Sequence, residues 1–84
     1  MTPADLVDLF LKELLRRAGG NRRRWRAVIG DVRLYSTATH SHCNWAIHPM
    51  GEAAENAAVE RIADELRARH PIIGEQAPAR RAPK

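Results

Sequence analysis

The chain has 84 residues, 44 % hydrophobic and 29 % charged, with 14 Lys and Arg against 10 Asp and Glu for a net charge of +4. That length accommodates one small domain, and the balance of apolar to charged residues is that of a globular chain rather than a disordered one. No apolar run approaches the roughly 20 residues that span a bilayer, the first residues lack the pattern of a secretory signal, and a lone cysteine, Cys43, excludes an internal disulfide framework. The expectation is a cytoplasmic protein without a membrane segment.

The first expected element is a helix opening at Pro3. Thr2 supplies an N-cap hydroxyl, Pro3 fits the first helical position, and Asp5 stands three residues after Thr2, as in a capping box. Leu6, Leu9, Phe10 and Leu14 follow helical spacing, and Val7, Leu11, Leu15 and Ala18 widen the stripe. Arg16 and Arg17 complement the negative end of the helix, and Gly19 and Gly20 stop it.

From Trp25 the pattern turns to alternation. With Gly30 and Asp31 as the centre of a type II′ turn, Ile29 faces Val32, Ala27 faces Leu34 and Trp25 faces Ser36 across an antiparallel pair. Trp25, Ala27, Ile29, Val32 and Leu34 then share an inner face, while Arg24, Arg26, Arg33 and Tyr35 take the wet face; Val28 is the one apolar exception. After a hydroxyl-rich stretch over 36–41, Cys43, Trp45 and Ile47 alternate with His42, Asn44, Ala46 and His48 as a third short strand. Pro49 and Gly51 lead into a second helix with Glu52 and Glu55 at its start, Ala58, Val59, Ile62, Ala63 and Leu66 as its apolar stripe, and Pro71 as its stop. Residues 75–84 are a basic tail with too little apolar content to pack, expected to be disordered.

The expected fold is α+β: a single domain over residues 1–74 in the order α-β-β-β-α, with two helices packed on one face of a small antiparallel three-stranded sheet. This order resembles that of the double-stranded-RNA-binding domain, over roughly residues 2–69 and in topology alone. Where that family carries phosphate-gripping lysines at the start of the second helix, this chain has Glu52 and Glu55, and its loop between the first two strands is too short to reach a minor groove. The resemblance implies a layer arrangement and no site. The alternating stretch between the two helices also argues against a helix-turn-helix, which needs consecutive helices.

Three groups of residues carry chemistry. Residues 1–35 hold eight basic and four acidic groups, residues 36–74 three and five, so positive charge concentrates early. Arg22, Arg23, Arg24, Arg26 and Arg33, with Tyr35 as a stacking face, form a candidate nucleic-acid or anion-binding patch. The competing reading has the wider arginine cluster, Arg16, Arg17, Arg22, Arg23, Arg24 and Arg26, neutralised by Asp31 and by Glu60, Asp64 and Glu65 of the second helix. His40, His42 and His48 share a parity on an extended chain and form a candidate metal site, although the paired spacings of zinc motifs are missing and Cys43 points the other way. Trp25, Asn44, Trp45, Pro49 and Gly51 read as structural anchors, the last four at a strand-to-helix corner.

His42 and Asn44 flank Cys43, but neighbours on a strand face opposite ways, so no nucleophile–base pair is expected. No catalytic signature, cofactor or small-molecule substrate is implied. The leading expectation is a small non-enzymatic protein-interaction or regulatory module, using the apolar face of the first helix and an exposed sheet edge, and self-associating as a homodimer or binding a protein partner. The alternative is a basic nucleic-acid-binding protein using the Arg22–Arg33 patch.

Overall fold

A computed structural model describes residues 1–74, in which the chain forms α1 (Pro3–Arg17), α2 (Arg22–Ile29), β1 (Arg33–Leu34), β2 (Trp45–Ala46) and α3 (Ala53–Arg69). The class is α+β, with three helices and a two-stranded antiparallel sheet. The expected tail over 75–84 lies outside the described residues. No helix among the described residues is long and apolar enough to cross a membrane.

α1 starts as its sequence predicts. The Thr2 hydroxyl accepts the Asp5 N–H at 3.1 Å and the Asp5 carboxylate accepts the Thr2 N–H at 3.0 Å, which satisfies two N-terminal donors reciprocally. Gly19 and Gly20 follow the helix at φ of 75° and 88°.

The main correction to the sequence reading is at residues 24–29, expected as a strand and found within a helix that begins at Arg22. Asn21 caps it, its side-chain oxygen accepting the Arg24 N–H at 3.1 Å. Trp25, Val28 and Ile29, at i, i+3 and i+4, are buried, while Ala27, inward-facing in the strand reading, is exposed. Val28, the exception to the alternation, is thus a core residue. Gly30 has the positive φ that the expected turn required, 69°, but it caps α2 instead, its N–H donating to the Arg26 carbonyl at 3.2 Å.

The expected Ile29–Val32 and Ala27–Leu34 pairings are therefore replaced by a pairing of β1 with β2, Arg33 opposite Ala46 and Leu34 opposite Trp45. Two strands of two residues do not form the expected layer, and the element order α-α-β-β-α also departs from the double-stranded-RNA-binding topology. Consecutive helices joined by residues 18–21 remove the objection to a helix-turn-helix, although order alone carries no site.

Helix packing makes most of the core. α1 lies against both α2 and α3, and Leu6, Phe10 and Leu14 are fully buried among Trp25, Val28 and Ile29 of α2 and Val59, Ile62 and Leu66 of α3. The wide apolar stripe of α1, read from sequence as an assembly face, is spent inside the chain, with Leu9 and Leu15 packed at its margins. β2 contributes Trp45, which meets Phe10 edge-on at 6.0 Å between ring centroids and donates its indole N–H to the His70 carbonyl at 2.8 Å. The Arg67 guanidinium lies 5.1 Å over the same ring.

Asn44, the one buried polar residue of the described chain, ties the C-terminal segment to this core. Its side-chain amide donates to the Ile73 carbonyl at 2.7 Å and accepts the Ile73 N–H at 2.9 Å. Its backbone N–H donates to the Pro71 carbonyl at 3.0 Å, and its carbonyl accepts the Tyr35 N–H at 2.8 Å. The side chain thus acts as a surrogate peptide group, holding residues 71–73 beside β2 without a further ladder.

Asn44→Ala leaves the buried Ile73 N–H and carbonyl without partners, and at about 1–3 kcal/mol for each stranded group the expected loss is roughly 2–6 kcal/mol by chemical denaturation. Asn44→Asp loses more at pH 7 than in acid, because only the protonated carboxyl can donate to the Ile73 carbonyl. Unchanged stability in both variants would remove the clamp from this account.

Candidate functional site

Once residues 22–29 are helical, the arginine run is sorted by angle. With Trp25, Val28 and Ile29 turned inward, Arg22, Arg23 and Arg26 fall on the solvent side next to α1, and Arg24 falls on the opposite flank, towards α3. Between α1, α2 and residues 31–32 runs an open groove of about 790 Å³. Its floor is apolar, from Val7 and Leu11 of α1 with Pro3, Ala4 and Val32 widening it; its rim carries Arg22, Arg23 and Arg26 together with Asp8 and Asp31.

The rim charges are unequally matched. The Arg22 guanidinium is 3.3 Å from the Asp8 carboxylate, a long, exposed contact of little energetic weight. Arg26 donates to the Gly30 carbonyl at 2.8 Å, placing positive charge at the negative end of its own helix. Neither Arg23 nor Arg26 has a carboxylate within ion-pair distance among the described residues, and the same holds for Arg33 on β1. Arg33 and Tyr35 do not line the groove. Tyr35 instead stacks on His40, with centroids 4.3 Å apart and planes inclined by 17°, so one of its faces is already occupied.

Arg24 belongs to the structural frame. It grips Glu55 with both arms of its fork, Nε to Oε2 at 3.0 Å and Nη2 to Oε1 at 2.6 Å, while Glu55 also accepts the Glu52 N–H at 2.8 Å within the capping box of α3. The Arg24 hydrogen bonds, then the Glu52 N–H, hold the Glu55 carboxyl down at about 2, from an ordinary value of 4.5. The neutralisation by α3 expected for the arginine cluster is thus supplied to Arg24, though by Glu55, and to Arg17, by Glu65 as the sequence suggested. Glu65 pairs with Arg17 at 2.6 Å, and that contact lowers its pKa; Asp64 pairs with Arg67 at 3.2 Å, and Asp31 pairs with no cation among the described residues.

The residues read from sequence as anchors make the following contacts. The Trp25 indole donates to the Gly19 carbonyl at 2.7 Å, closing the α1–α2 turn. A Cβ on Gly51 would come within 2.8 Å of Val28 Cγ2 and 2.5 Å of Glu55 Oε1, so only glycine lets the corner pass this close to α2. Just before it, the Met50 N–H donates to the Val28 carbonyl at 2.8 Å, supplying a partner to a carbonyl in the last turn of α2. Pro49 is half-buried in the same corner. Cys43, also half-buried, directs its thiol at the Trp45 carbonyl at 3.4 Å.

The histidines are not gathered. His40, His42 and His48 are all exposed, His40 is engaged with Thr39 at 2.9 Å, and among the described residues no group of three His, Cys, Asp or Glu side chains is placed to hold a metal ion. Sequence reasoning named Val7 and Leu11 only as part of the broad α1 face, and missed Ala4 and Asp8 on the groove wall and Glu55 as the partner of Arg24. The signal that would have found them is Asn21, a strong N-cap directly before the arginine run. Compared with protein-family models, curated proteins and solved structures, the chain matches none.

Because the folded-state pKa of Glu55 is depressed, the stability it contributes is present above about 4.5 and is lost as pH falls towards about 2. Glu13, Glu65 and Asp5 are depressed too and lose their contributions on the same acid side. Glu55→Gln is therefore expected to melt below wild type at pH 7, with the gap in melting temperature closing between pH 4.5 and 2. A gap independent of pH contradicts the assignment.

Proposed function

We propose that the protein is a small non-catalytic interaction module that binds a partner protein in the groove between α1 and α2. The observation that carries this reading is an open channel bordered by two arginines that make no ion pair among the described residues, over Val7 and Leu11 at the margin of an α1 face otherwise consumed by the core. The recognition surface thereby shifts from the face of α1 to the groove, and two-residue strands leave too short an edge to be its main part. The free thiol of Cys43 fits a cytoplasmic setting.

A photo-crosslinking residue at Ala4, exposed on the groove wall, is expected to trap a protein in cells, whereas the same residue at Ala68, exposed on α3, is not. Trapping of the same set from both positions, or of no protein from either, would overturn the reading.

Nucleic-acid binding is the second reading, favoured by the lack of ion pairs to Arg23, Arg26 and Arg33 among the described residues. Against it stand the Arg24–Glu55 pair and the two aspartates, Asp8 and Asp31, lining the same channel as the arginines. Saturable binding of duplex DNA or RNA that weakens by orders of magnitude between about 50 and 200 mM salt, and is lost in the triple Ala variant of Arg23, Arg26 and Arg33, would put this reading first.

A further inference from the structure

Resting on the interaction reading above, we infer that the groove takes an acidic amphipathic helix of another protein, with apolar side chains on the floor and carboxylates on Arg23 and Arg26. Ala4 is exposed on the α1 wall, and Val7 and Leu11, one and two turns further along, are almost wholly buried beneath it, so a docked helix rests its apolar side chains on Ala4, Pro3 and Val32 over a base closed by Val7 and Leu11. The opposite wall, α2, has eight residues and at 1.5 Å per residue is about 12 Å long, which matches about two turns of a docked helix.

Charge selects the sign of the occupant. Arg23 and Arg26 stand three apart on α2 and so lie on neighbouring positions of one face, as carboxylates three or four apart do on a helix. Each guanidinium presents a planar fork suited to a carboxylate. A nucleic-acid strand brings charge along its whole length and would meet Asp8 and Asp31, whereas an amphipathic helix can confine its carboxylates to the edge facing α2. An apolar floor is likewise of more use to leucines than to phosphates.

The test uses the full chain and a labelled four-turn synthetic peptide bearing leucines at helical spacing, glutamates along one edge and glutamines elsewhere. Its companions replace all Glu by Lys or all Leu by Ser, and polyglutamate and a DNA duplex complete the panel. The acidic amphipathic peptide is expected to bind about tenfold or more tightly than each companion. The Arg23→Glu, Arg26→Glu double variant, at exposed positions that spare the core, is expected to reverse the preference between the Glu and Lys peptides.

Equal binding of polyglutamate or DNA reduces the surface to a plain basic patch and overturns the inference, as does an unreversed preference in the charge-swapped variant. If no peptide binds while the residue at position 4 still traps a protein, the occupant is wrong and the module reading stands. If both fail, both fall.

Discussion

The architecture depends on the seating of α2, and that seating depends on close approach at Gly51. A helix of eight residues is not stable alone, because nucleation costs more than so few hydrogen bonds return. α2 exists because tertiary contacts hold its inner face and its α3 flank: Trp25, Val28 and Ile29 in the core, the Trp25 indole on the α1–α2 turn, Arg24 on Glu55, and the Met50 N–H on the Val28 carbonyl. The corner preceding α3 reaches that carbonyl because Gly51 has no Cβ to collide with Val28. With α2 fixed in this orientation, Arg24 faces α3 as a structural cation, and Arg22, Arg23 and Arg26 face the channel beside α1.

Economy elsewhere in the fold follows a similar logic. A chain this small has few residues for a sheet, and two strands of two residues have too few ladder bonds to hold the C-terminal segment. Asn44 supplies the missing pairing with its side chain, satisfying both backbone groups of Ile73, while the neighbouring Trp45 satisfies the His70 carbonyl and packs on Phe10. The Asn44–Trp45 pair therefore joins the end of α3, residues 71–73 and α1. Polar closure and apolar burial are supplied by adjacent residues.

The parts of the fold written in local signals were legible in the sequence. The Thr2–Asp5 capping box, the Gly19–Gly20 stop and the buried stripe of α3 all stand where their spacing puts them, and Asn44, Trp45 and Gly51 each make close contacts around the corner. α2 was not legible, because Trp25, Ala27 and Ile29 satisfy a period of two while Trp25, Val28 and Ile29 satisfy a helical turn, and eight residues are too few for one period to exclude the other. Gly30 compounded the ambiguity: a positive φ serves a hairpin turn and a helix cap equally. The groove could not be read at all without that helix, since its two walls come from α1 and α2, and pairings such as Arg24 with Glu55 and Arg17 with Glu65 depend on where α3 lies, which no local pattern encodes.

The most direct test of the account is the backbone conformation of residues 22–29 in solution, read by NMR from Cα and Cβ chemical shifts and from short-range contacts. Helical shifts from Arg22 to Ile29, with contacts between the α-proton of Trp25 and the β-protons of Val28, are the expected result. Extended shifts over this segment, with cross-strand contacts between Ile29 and Val32, would contradict it and remove the groove along with the helix that forms its wall.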